Sequence, residues 1–187
     1  MDFLVSFLAH TGCIFGLICV HECGHFLAGS VGGIPARDMR IRLLTFPQHV
    51  ALRFENRWVS PFELEPYLAT MSRHLVTTTR LYLYTAGGLI VETLFSVVTV
   101  IALVQSGWPH WAFMVALMSS CLFGIAVLVL DIALAWLRGH PCGDVSGLWA
   151  LAKLPTAMFV LALLVVRVLM LWYATAAPGA APDRSGM

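Results

Sequence analysis

The stretch FLVSFLAHTGCIFGLICVHECGHFLAGS, from Phe3 to Ser30, decides the class of this protein. Its only carboxylate or base beyond three histidines (His10, His21, His25) is Glu22. A bilayer core of about 30 Å is crossed by roughly 20 apolar residues in a helix, and this run exceeds that length. A secretory signal has a shorter apolar core and opens with basic residues, whereas Asp2 is the only charge before Glu22. We read the run as a retained membrane span.

The rest of the chain agrees. Of 187 residues, 59% are apolar and 11% charged, against about 25% charged in an ordinary soluble domain. The formal net charge of +1 gives no electrostatic footprint for nucleic acid. Three further stretches reach spanning length, at Leu81 to Gln105, Pro109 to Leu137 and Leu148 to Tyr173. The expected fold is an all-α integral membrane protein of four transmembrane helices, a single membrane-embedded domain over residues 1–173. The Ala-, Pro- and Gly-rich tail over residues 174–187 is expected to be disordered. Four of the five cysteines lie in apolar runs and read as small buried hydrophobes, not as a disulfide framework.

Basic residues in short loops stay on the cytoplasmic side. Seven arginines lie between Val31 and Arg80, and Arg138 lies in the third connection, while the N-terminus and second connection have none. Both termini are therefore expected outside, in a multi-pass protein of the cell membrane. The first loop, on the cytoplasmic side, alternates from Arg40 to Leu43 and resumes at His49 to Phe54 after Pro47, which predicts a short β-hairpin. Apolar residues at Leu64, Tyr67, Leu68, Met71 and Leu75 then predict a helix lying on the membrane surface.

Within the first span stands His21-Glu22-Cys23-Gly24-His25, an H-E-x-x-H sequence. At 3.6 residues per turn, His21 and His25 lie about 40° apart on one helix face, so two imidazoles can converge on one cation. Glu22 falls about 60° from His25, near enough to take a proton from a water held there without ligating the ion. Ionisable groups within a span are functional candidates by default. A catalytic zinc site takes three protein ligands, and nothing just downstream of His25 can serve. The remaining candidates are Asp131, near the inner end of span three, and Asp144, just after it. The loop charges place both at the membrane face where His25 lies.

HECGHFLAG resembles the H-E-x-G-H helix of the site-2 protease family of intramembrane zinc metalloproteases. TAGGLIVE, Thr85 to Glu92, is similar to that family's small-residue stretch ending in asparagine. LDIALAWLRGHPCGDVSGL, Leu130 to Leu148, is similar to its Asn-x-x-Pro segment followed by Asp-Gly. The resemblance implies that His21, His25 and Asp144 hold one zinc ion per chain and that Glu22 is the general base. It also implies a membrane-protein substrate cut in or near a span, presented as an added strand by the hairpin over residues 40–54. Departures are Glu92 in place of Asn, Asp131 roughly where the other Asn falls, and Val145 after Asp144. Pro141 and Gly143 favour Asp144 over Asp131 because they can bend the chain toward the metal and let Asp144 begin span four.

Asp131 has two readings besides ligation: a protonated donor to an oxyanion, or a carboxylate paired with Arg138 about two turns away. Glu92, halfway through span two, is either close to the zinc or an interhelical hydrogen-bond partner. Arg167 is expected to snorkel to the outer interface beside Trp172 and Tyr173. Gly87 and Gly88 are expected to let helices pack closely. Alternatives to a membrane zinc endopeptidase are a non-proteolytic binding or scaffold protein of the same fold, and a small proton or metal transporter using Glu92, Asp131 and the histidines.

Overall fold

The structure is a computed structural model, and it describes residues 3–176. Six helices and a small sheet follow one another: α1 (Phe3–Gly32), β1 (Met39–Arg42), β2 (His49–Phe54), β3 (Arg57–Val59), α2 (Leu64–His74), α3 (Thr78–Gln105), α4 (His110–Arg138), α5 (Asp144–Leu151) and α6 (Lys153–Ala176). Among the described residues, α1, α3, α4 and α6 are long and apolar enough to cross a membrane. The expected tail lies outside the described residues from position 177 on, while its first residues, Ala174 to Ala176, complete α6.

The fourth apolar stretch is two helices, not one. Pro155 lacks the N–H that would bond the Leu151 carbonyl, and its ring would crowd that same carbonyl, so the helix ends at Leu151. Ala152 is extended, and Thr156 starts the new ladder by donating its N–H to the Ala152 carbonyl at 3.0 Å. Asp144 therefore opens the short helix α5 rather than the last long helix.

Between α1 and α3 the expected hairpin is present, with Met39 opposite Leu52 and Arg42 opposite His49. A third strand joins it. Phe54 pairs with Arg57, leaving Glu55 and Asn56 as a two-residue turn with Glu55 at φ 54°. The strand order is β1-β2-β3. Helix α2 lays Tyr67 and Met71 against Val50, Leu52 and Val59 of the sheet, together with Leu75, Ile34 and Tyr84. The apolar face assigned to the membrane surface is thus largely covered by the protein's own sheet, and Leu68 is left exposed.

Helices α1 and α3 touch backbone to backbone. A Cβ on Gly24 would stand 2.4 Å from the Gly87 carbonyl oxygen, and one on Gly87 would meet the Ala28 Cβ at 2.6 Å. Only glycine permits this approach, as expected of Gly87 and Gly88. At the far end, Val100, Phe113, Leu117, Met170 and Ala174 join α3, α4 and α6. Nearer the sheet, Ala86, Leu89 and Leu148 join α3 to α5.

Candidate metal centre

One turn of α1 puts His21 and His25 on the same face, where both are buried. Their Nε2 atoms are 3.2 Å apart. From the start of α5, Asp144 Oδ2 reaches His21 Nε2 at 2.9 Å and His25 Nε2 at 3.3 Å. Among the described residues, these three form the one group of His, Cys, Asp and Glu able to hold a metal ion. Asp131 and Glu92 are not brought into it.

The second nitrogen of His25 decides what its Nε2 can do. Nδ1 lies 2.9 Å from the Tyr84 backbone carbonyl, which can only accept, so Nδ1 carries the proton and donates. In the neutral ring Nε2 then holds a lone pair, as a metal-binding histidine requires. Two imidazole nitrogens and a carboxylate oxygen around one point are poorly satisfied by a single shared proton. A cation satisfies all three. Donors about 2.0–2.2 Å from a tetrahedral zinc ion stand roughly 3.3–3.6 Å from one another, close to the spacing here. The donor set therefore fits zinc.

The surroundings are close. A Cβ on Gly88 would stand 2.5 Å from His25 Nε2 and 2.7 Å from His21 Nε2, so α3 presents bare backbone to the two rings. The Phe123 ring of α4 packs edge-on against His21, with ring centres 5.7 Å apart. Glu22 is buried and its Oε2 has no hydrogen-bond partner. His21 Nδ1 is likewise buried and unpartnered. In the metal-free site burial alone would raise the Asp144 pKa, but a protonated His25 facing it and the two histidine hydrogen bonds overrule that and hold the carboxyl below the usual carboxylate range; a bound cation would take the place of that proton.

Behind His25, the Tyr84 and Tyr67 hydroxyls meet at 2.7 Å, and Tyr67 also donates to the Val50 carbonyl of β2 at 3.1 Å. This chain joins sheet, α2 and α3 at the helix that orients His25. Sequence periodicity marked Tyr67 as an apolar contact and passed over its hydroxyl.

Asp131 is buried beside the turn that opens α5, where its Oδ2 accepts the Ser146 N–H at 2.9 Å. It is not paired with Arg138, whose guanidinium lies over the Phe62 ring at 4.8 Å. Glu92 is fully buried. It accepts hydrogen bonds from Ser96 at 3.0 Å, Ser120 at 3.2 Å and Thr93 at 3.3 Å, and pairs with Arg167 Nη2 at 2.9 Å. Arg167 thus turns inward instead of snorkelling, because a neighbouring helix supplies its counter-charge. The pairing had no local sequence signal, since the partners lie on α3 and α6.

Compared with protein-family models, curated proteins and solved structures, the chain matches none.

Proposed function

We propose that this protein is a zinc-dependent endopeptidase of the membrane, similar in chemistry to the site-2 proteases, cutting a peptide bond in or near a transmembrane segment of a membrane-protein substrate. The observation that carries this reading is the convergence of His21, His25 and Asp144 from two separated parts of the chain, with the buried Glu22 between the two histidines in sequence. Four long helices whose outward faces carry exposed residues such as Phe3, Phe7, Leu130 and Trp172 support a bilayer location. The arginine-rich first loop then faces the cytoplasm, in the cell membrane, with both termini outside.

When bound, the zinc ion supplies Lewis acidity, acidifying water and polarising a carbonyl. His21, His25 and Asp144 hold it, and the Tyr84 carbonyl fixes the ring of His25. Glu22, free of other partners at Oε2, takes the proton of the attacking water. Phe123 and the backbone of Gly88 exclude bulk solvent from the histidine pair. A helical substrate hides its carbonyls in its own hydrogen bonds and must be extended first. Strand β1 is an edge of the sheet and follows α1 after a single 3-10 turn (Ala36–Asp38), so it offers a free ladder for an extended segment.

The test is cleavage of a library of single-span transmembrane peptides by the detergent-solubilised, zinc-loaded chain. Glu22→Gln should lose cleavage while binding zinc as the parent does. A zinc-loaded parent that cuts nothing, or a Glu22→Gln variant that cuts equally well, overturns the proteolytic reading. Zinc or proton uptake into reconstituted vesicles would favour transport instead.

A further inference from the structure

Helix α5 begins without a capping side chain of its own. Its N-cap is Gly143, and Asp144 is its first residue. The early N–H groups of a helix have no partner within the helix and need an acceptor. Just ahead of the helix, the Ser146 hydroxyl accepts the Cys142 N–H at 3.1 Å and the Gly143 N–H at 3.2 Å. The N–H of Ser146 itself is served from another helix, by Asp131 Oδ2 of α4 at 2.9 Å. A carboxylate at this end also faces the positive pole of the helix dipole.

The contact extends along the turn. A Cβ on Gly143 would stand 2.6 Å from Asp131 Cγ and 2.8 Å from its Oδ1, so Gly143 lies directly on the carboxylate. Asp144 sits between these two points of attachment, Gly143 and Ser146. Its backbone is held on one side by α4 while its carboxylate reaches the histidines of α1 on the other.

We infer that Asp131 is a positioning residue, a helix cap supplied from α4 that sets the turn delivering Asp144 to the metal, and is neither a ligand nor an oxyanion donor. This rests on the zinc reading above. The required property is an acceptor oxygen toward the Ser146 N–H. Asp131→Asn keeps one, and Asp131→Ala does not. Loss of a residue that orients a ligand typically weakens metal binding about 10- to 100-fold.

The experiment is competitive zinc titration of the solubilised full chain against a chelating dye. Asp131→Ala should weaken zinc about 10- to 100-fold, and Asp131→Asn should stay within a few-fold of the parent. In an Asp144→Ala background, Asp131→Ala should add nothing, because its effect runs through Asp144. Gly143→Ala, which drives a methyl into the Asp131 carboxylate, should weaken zinc in the otherwise native chain and serves if Asp131→Ala does not fold. Parental affinity in Asp131→Ala, additive losses in the double variant, or an Asp131→Asn variant as weak as Asp131→Ala each overturn the inference. A parent that binds no zinc instead overturns the reading on which it rests.

Discussion

Adding one methyl at Gly88 tests the metal centre without replacing any of the three candidate ligands. The new Cβ would lie 2.5 Å from His25 Nε2 and 2.7 Å from both His21 Nε2 and Cε1. Ordinary packing contacts begin near 3.4 Å or beyond, so the rings would have to retreat by roughly 0.7–0.9 Å. The Nε2 atoms now stand 3.2 Å apart, and His25 is tied at its other nitrogen to the Tyr84 carbonyl, on the same turn of α3 as Gly88. The ring cannot swing away without giving up that bond. Overpacking of this kind costs about 1–3 kcal/mol, and a lost hydrogen bond adds about 1 kcal/mol. If that strain falls on the bound state, Gly88→Ala should weaken zinc by about 5- to 1,000-fold at 1.4 kcal/mol per decade. Chelator competition in detergent measures it, with thermal unfolding of the zinc-free chain as the control for global damage. Parental zinc affinity in Gly88→Ala would mean that the two Nε2 atoms do not share a cation, and the reasoning would fail.

Other outcomes follow from the same geometry. Glu92→Ala should destabilise the chain by about 3–5 kcal/mol in detergent unfolding by stranding the buried Arg167 guanidinium, whereas replacing both partners with apolar residues should restore much of the loss. Zinc affinity should fall on acidification, because protons compete with the ion for the two imidazole lone pairs; the pH dependence of dye competition reads the protons taken up. Tyr67→Phe should cost about 1–3 kcal/mol because the Val50 carbonyl and Tyr84 hydroxyl both lose their partner, measured by denaturant unfolding.

What could be read from the chain divides by the range of the interactions. Helical periodicity and apolar length are local, and they placed α1, α3 and α4 within a few residues and set His21 and His25 on one face. The two early strands were legible from alternation, whereas β3, only three residues long, depended on the Glu55-Asn56 turn. The break at Ala152 was hidden because both sides are apolar; the effect of Pro155 on the Leu151 carbonyl makes two helices. Pro141 and Gly143 were the local signal that favoured Asp144 over Asp131. The different surroundings of the two carboxylates arise only when α4 and α5 fold against α1. Arg167 went astray for the same reason: its partner is 75 residues away in sequence, and proximity to aromatic residues suggested the opposite direction.

The inward turn of Arg167 bears on how the chain is assembled. A lone arginine in the middle of a helix is disfavoured by about 2.5–3.5 kcal/mol during insertion, and Arg167 sits near the centre of the last long helix. Its counter-ion, Glu92, is made earlier in synthesis and carries a penalty of its own until the two meet. On the proposed bilayer location, the nascent protein would gain from keeping its second long helix beside the insertion machinery until the final one arrives, so that both enter lipid as a neutral couple.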